Sequence, residues 1–364
     1  GTSTTPEMAF NANSEALIYG STYNPWNVGH SVGGSSGGAG AAVASGMVPI
    51  AHANDGGGSI RIPAACNGLV GMKPTRGRTP TGPDGGLFLW GLAIEFAVTK
   101  SVRDSAALLD AVSGPDDGYF YTAEPPKGSF LSAAMRQPAS PLRVGVINQL
   151  PGTAKPAREN AARLKNTVTL LEDLGHVCEP LRLKYDADAF NESTIRLWAA
   201  TLGFYMREFS EKTGRKINPS TVEAVTLETY RYAQKLNAMD MEWAMGIQNK
   251  VSRTVGEAMR NFDVLLTPGL GREVAKLGEL NQNRRGVDVM SWWKQLMYDY
   301  TQYTPLFNTT GQPAMMLPLF QSKSGLPLAM QFVGRLGDEE TLYSLANQLE
   351  QALPWSQRRA ENFS

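Results

Sequence analysis

Cysteine and histidine are scarce in this chain, net charge is absent, and the first 72 residues contain no lysine. Two cysteines, Cys66 and Cys178, provide neither a disulfide framework nor a metal-ligand spacing, and they fit a reducing compartment. The three histidines (His30, His52 and His176) are scattered, which argues for local structural roles and against a metal centre. Lysine plus arginine and aspartate plus glutamate number 34 each, so no basic surface invites nucleic acid or an anionic membrane. No apolar run is long enough to span a bilayer, and the observed start carries no signal peptide. The expectation from these absences is a cytoplasmic protein that works without metal or cofactor and has neither nucleic-acid nor membrane partners.

Glycine, by contrast, is abundant: the chain has 37, and 18 of them fall in its first 90 residues. The informative stretch runs from Ser31 to Pro74. A Gly-Gly-Ser-Ser-Gly-Gly run, Gly33 to Gly38, precedes a small-residue helix, and an Asp-Gly-Gly-Gly-Ser turn follows at Asp55 to Ser59. Serine hydroxyl is a weak nucleophile that needs a base, and its tetrahedral intermediate needs preorganised donors. Glycines before Ser59 let the backbone turn sharply and leave its N–H groups uncovered, as in an anion-binding nest. Ser59 is therefore the candidate nucleophile, with the N–H groups of Gly56, Gly57, Gly58 and Ser59 as candidate oxyanion donors. Asp55 is expected to fix the turn through its own backbone. Arg61 either braces the glycine loop or belongs to a structural ion pair.

A Ser-His-Asp triad stays open, because triads assemble from distant segments. Phosphate binding does not fit, since Gly37-Gly38-Ala39-Gly40 lacks the lysine of a P-loop and no G-x-G-x-x-G pattern occurs here.

Along the chain, strands and helices alternate. Gly40 to Met47 reads as a helix and Val48 to Ala53 as a buried strand. Ser101 and Asp104 read as a capping box for a helix ending at Gly114. Leu142 to Ile147 is a strand; Ala161, Leu164, Val168 and Leu171 follow helical spacing, and Val177 opens another strand. Asn191 to Arg260 is helical and rich in aromatics and methionine, with one helix capped by Ser220 to Glu223. Phe262 to Thr267 returns to strand, Val287 to Tyr303 is helical, Ala314 to Leu319 and Leu328 to Val333 are strands, and Glu339 to Leu353 is a closing helix. Repeated strand–helix–strand order predicts an α/β protein with helices covering a sheet.

These motifs resemble the amidase signature family. The resemblance rests on GGSSGG, DGGGS, the GMKPT segment, KPTRGR, FNTTGQPA and QLEQALPW, and it reaches both ends of the chain. It implies an α/β fold with a mixed β-sheet core covered by helices on both faces. The chain would then be a single domain over 1–364, with 1–190 and 261–364 forming the core and an aromatic-rich, mainly helical pocket region at 191–303.

In the family a neutral lysine deprotonates a serine held by a cis peptide bond, and that serine relays the proton from the nucleophile. Matched onto this sequence, the relay is Ser35, Ser36 supports it, and Ser59 forms the acyl-enzyme. The family's lysine lies upstream of the first glycine loop, where this chain has none. Lys73, in the GMKPT segment, is not the base in the family. The expectation is that roughly a quarter of a usual family chain precedes Gly1.

The implied activity is hydrolysis of a small-molecule amide, linear or cyclic, and within the family the motifs resemble a bacterial branch that contains a nylon-oligomer amidase. Alternatives with the same machinery are a carbamate (urethane) or aryl-amide and ester hydrolase. A glutaminase subunit of an aminoacyl-tRNA amidotransferase is a further alternative, against which the aromatic-rich middle counts. A fold that is inactive for want of its base is another. The oligomeric state stays open; family members are often dimers, and the exposed aromatics allow a homodimer.

Overall fold

The computed structural model describes residues 1–83, 85–115, 117–120 and 122–360. The last four positions of the expected 261–364 segment lie outside the described residues. In chain order the elements begin with a short ribbon, β1 (Tyr23–Asn24) and β2 (Asn27–Ser31), and then α1 (Gly37–Ala44), β3 (Ile50–Asp55), α2 (Arg61–Asn67) and β4 (Val70–Lys73). Next come β5 (Ile94–Thr99), α3 (Val102–Val112), α4 (Phe130–Ala134), β6 (Arg143–Val146), α5 (Arg158–Asp173) and β7 (Val177–Pro180). Three helices follow, α6 (Ala187–Thr213), α7 (Ala224–Ala233) and α8 (Ala238–Met259), and then β8 (Val264–Pro268). The chain continues through α9 (Val289–Asp299), α10 (Pro305–Thr309), β9 (Ala314–Gln321), β10 (Pro327–Gly334) and α11 (Glu339–Ala352).

Among the described residues, eight strands form one mixed sheet in the order β3-β5-β4-β9-β10-β8-β6-β7. Its first six strands pair antiparallel, while β8, β6 and β7 run parallel. Central strands β8 and β10 are buried at every position, which accounts for their continuous apolar sequences rather than an alternating pattern. Helices flank the sheet, as the α/β reading expects.

Boundaries shift by a few residues at several elements, and at α1 and β3 the cause is visible. Helix α1 starts at Gly37 rather than Gly40, because its first turn is tied to the N-terminal segment. Gly37 N–H donates to Ser14 Oγ (3.1 Å) and Gly38 N–H to Thr4 O (3.1 Å). A Cβ on Gly38 would lie 2.4 Å from Thr4 N, so close packing offsets glycine's poor helix propensity there. Strand β3 starts at Ile50, two residues later than read, because the turn after α1 extends through Met47.

Two caps are corrected as well. Ser101 accepts from Asp104 N–H at 3.1 Å, but the Asp104 carboxylate turns to Arg103, which leaves a simple cap rather than a reciprocal box. Ser220 caps no helix: its N–H and hydroxyl both bond Asn218 Oδ1. Helix α7 starts after Glu223, whose carboxylate accepts from Leu17 N–H at 2.7 Å.

Candidate active site

The two glycine loops meet at the ends of β2 and β3. Around Ser35, the first loop is held by short polar side chains. Ser14 Oγ lies 3.2 Å from both Gly33 O and Ser35 O, and Asn67 Nδ2 donates to Val32 O at 2.7 Å. The Gly34–Ser35 peptide is cis. The loops also bond each other directly, with Ser36 N–H donating to Ser59 O at 3.4 Å. The Ser36 hydroxyl contacts the backbone N and O of Asn54, at 3.3 and 3.4 Å. Ser35 and Ser59 are both buried, and Ser59 lines a narrow cleft with Gly34 and Gly57.

Beneath the second loop lies a fully buried ion pair. Arg61 Nε donates to Asp55 Oδ2 and Nη2 to Asp55 Oδ1, each at 2.9 Å. The remaining guanidinium donors reach Asn308 Oδ1 (2.6 Å), Thr304 O (2.8 Å) and Gln331 Oε1 (2.7 Å). Five donors meet five acceptors, the condition under which burying a guanidinium is tolerated. Asp55 also accepts from Gly58 N–H at 2.7 Å and from Asn308 Nδ2 at 2.8 Å. Burial opposes ionisation of Asp55, but the charge and hydrogen bonds of Arg61, with Asn308 and Lys73, hold its carboxyl below the ordinary range.

Of the four backbone donors expected from sequence, Gly58 N–H is therefore already committed to Asp55. Gly57 and Ser59 border the cleft, and no protein acceptor among the described residues takes their N–H groups. Lys73 is fully buried behind this loop, and its Nζ donates to Pro74 O at 2.9 Å. Burial and then the neighbouring Arg61 charge push its pKa well below the ordinary lysine value.

The cleft wall comes from segments far apart in sequence. Phe10, Trp198 and Trp293 cluster with ring centroids 5.5–6.4 Å apart, and Leu296 and Met297 complete an uncharged lining. The free space is about 30 Å³, room for one water-sized body. Sequence reasoning placed Trp198 and Trp293 in the aromatic-rich region but missed Phe10, Thr304, Asn308 and Gln331. FNTTGQPA, which holds Asn308, stood out only as a family motif.

Other flagged residues lie elsewhere. His52 is on the edge strand β3, its Nε2 2.9 Å from Glu95, and His176 bonds Leu142 N–H and Gln348. Cys66 is buried against the Tyr300 hydroxyl at 3.6 Å, and burial pushes its thiol up to about 12. Among the described residues, no cluster of histidine, cysteine, aspartate and glutamate could hold a metal ion, and no helix is long and apolar enough to cross a membrane.

Two serine-bearing glycine loops at one cleft, on a mixed sheet flanked by helices, are features of a hydrolase acting on amide bonds. The model of the amidase family matches residues 1–343, and the chain belongs to that family. It is similar to the 6-aminohexanoate-cyclic-dimer hydrolase of Pseudomonas sp. (strain NK87), with 35% identity over 368 aligned positions covering 98% of this chain and 74% of the relative. A solved structure of a 6-aminohexanoate cyclic dimer hydrolase superposes with a TM-score of 0.93 at 34% identity, over 100% of this chain and 77% of that one. A bacterial aryl acylamidase of the amidase signature family shares the fold, with a TM-score of 0.84 at 24% identity over 97% of this chain and 72% of that one.

Proposed function

We propose that the chain hydrolyses an uncharged carboxamide through an acyl-enzyme on Ser59, with Ser35 as the proton relay. Ser59 Oγ attacks the carbonyl carbon, and its proton passes through Ser35 toward the leaving nitrogen. The C–N bond breaks as the amine departs, and water then hydrolyses the ester by the same route. The observation that carries this reading is the pair of uncommitted N–H groups, Gly57 and Ser59, beside the Ser59 side chain at the cleft. Such donors favour the oxyanion over the ground-state carbonyl. The base that drives the relay is not assigned to Lys73, whose Nζ donates to Pro74 O.

The uncharged aromatic and aliphatic wall favours an acyl group without charge, in keeping with a nylon-oligomer-like amide. Carbamates and aryl amides or esters fit the same wall and form the second substrate reading. Glutamine fits less well, because among the described residues no charged side chain lines the cleft to meet its ammonium or carboxylate.

Intact-mass spectrometry after an aryl sulfonyl fluoride, with peptide mapping, tests the mechanism. The expected result is one adduct on the Ser59 peptide, none in Ser59→Ala, and a small residue of reactivity in Ser35→Ala. Full amide turnover by Ser59→Ala would end the reading.

A further inference from the structure

The peptide between Gly57 and Gly58 is held at both polar ends. Its carbonyl oxygen accepts from Thr304 Oγ1 at 2.7 Å, and its N–H donates to Asp55 Oδ1 at 2.7 Å. A peptide unit is planar, so fixing both ends fixes its rotation about the chain. The two flanking peptides carry the N–H groups of Gly57 and Ser59. The cleft is lined by Gly57 and Ser59 and not by Gly58. The central plane of three is thus held at both ends with an uncommitted donor on either side, and the plane that carries Ser59 N–H is held at its carbonyl by Ile62 N–H (2.7 Å).

Helix α10 supplies the clamp. Thr304, its N-cap residue, and Asn308 stand four residues apart and so on one helix face. Thr304 holds the carbonyl end, while Asn308 Nδ2 holds Asp55 through its backbone oxygen (2.7 Å) and its carboxylate (2.8 Å). The loop is shaped to receive this helix. Gly58 has φ +131°, and a Cβ there would lie 2.3 Å from Thr304 Oγ1.

Resting on the acyl-enzyme reading above, we infer that Thr304 is a positioning residue for catalysis: its hydroxyl locks the Gly57–Gly58 peptide so that Gly57 and Ser59 present their N–H groups together to the oxyanion. It does not touch substrate. Without the hydroxyl the plane is held only at its Asp55 end, and the two flanking donors lose their common aim. Misaligned donors weaken binding of the transition state more than of the ground state.

The test compares Thr304→Val, which keeps the shape and loses the hydroxyl, with Thr304→Ser, which keeps the hydroxyl. The readouts are the second-order rate of Ser59 modification by an alkyl fluorophosphonate and, on an anilide substrate, kcat and KM separately. Both are expressed per folded molecule, with the folded fraction taken from thermal melts. Thr304→Val is expected to lose at least tenfold in modification rate and in kcat with KM within twofold of the parent, and Thr304→Ser to return within threefold. Should Thr304→Val not fold, Thr304→Ala carries the same comparison.

A folded Thr304→Val that reacts at the parental rate overturns the inference, as does a Thr304→Ser that is equally impaired. A parent protein that forms no Ser59 adduct fails at the earlier step and overturns the acyl-enzyme reading together with this one.

Discussion

Arg61 shows how much a single side chain can organise. Its guanidinium is fully buried and spends every donor, two on Asp55 and three on groups from the far end of the chain. Removing one partner of such a pair leaves a buried charge unmatched, which costs about 3–5 kcal/mol. Arg61→Met is expected to show that loss in urea denaturation, and Arg61→Lys to recover little of it, because an ammonium cannot span five acceptors. Asp55 adds a pH dependence of known sign. Its folded pKa lies below the ordinary 3.8, so its contribution is complete above that value and is lost as pH falls through the lower folded pKa. Acid unfolding of the parent should therefore be steeper below pH 4 than that of Asp55→Asn. Asp55 and Arg61 were legible in sequence because they sit within six residues of each other in a glycine turn. Thr304, Asn308 and Gln331 were not, since an ordinary polar residue some 250 positions away carries no local signal of the turn it will support.

At the scale of elements, most helices and strands were legible from periodicity and caps, with shifts of a few residues at their ends. Strand β8 and the β9–β10 hairpin announce themselves as short apolar runs between turn residues, and α5 through its spaced apolar positions. Misreadings came where a distant contact overrode a local preference, as with Thr4 and Ser14 at the start of α1 and Leu17 on Glu223 at the start of α7. A cap without such competition allows a direct prediction. Ser101 satisfies Asp104 N–H at the first turn of α3, so Ser101→Ala should destabilise by about 1 kcal/mol in thermal or urea melts.

Across the whole molecule, α11 and α3 pack together and share Glu350, whose carboxylate accepts from Val102 N–H at 3.4 Å. Burial raises its pKa to about 7, with Asp104 adding to the rise and Arg103 opposing it. The folded state therefore holds one proton more than the unfolded chain between about 4.5 and 7. That stabilisation is complete below the window and lost as pH rises through it. Glu350→Gln should remove this slope and raise stability at pH 8 by on the order of 1–2 kcal/mol, allowing for partial exposure, as read from urea melts at pH 5 and 8. Fold class was legible because the alternation of strand and helix persists along the chain, whereas strand order was not, since β4 lies between β5 and β9 through pairings that no local pattern reveals. The distance between Arg61 and its acceptors at 304, 308 and 331 also sets an order in time. On the ribosome, both serines and both glycine loops emerge early, while the clamp beneath them is not yet made. Until Thr304 clears the exit tunnel the guanidinium lacks three of its five acceptors, and until Gln331 clears it still lacks one, so the glycine turn is braced in full only after all three segments have been made.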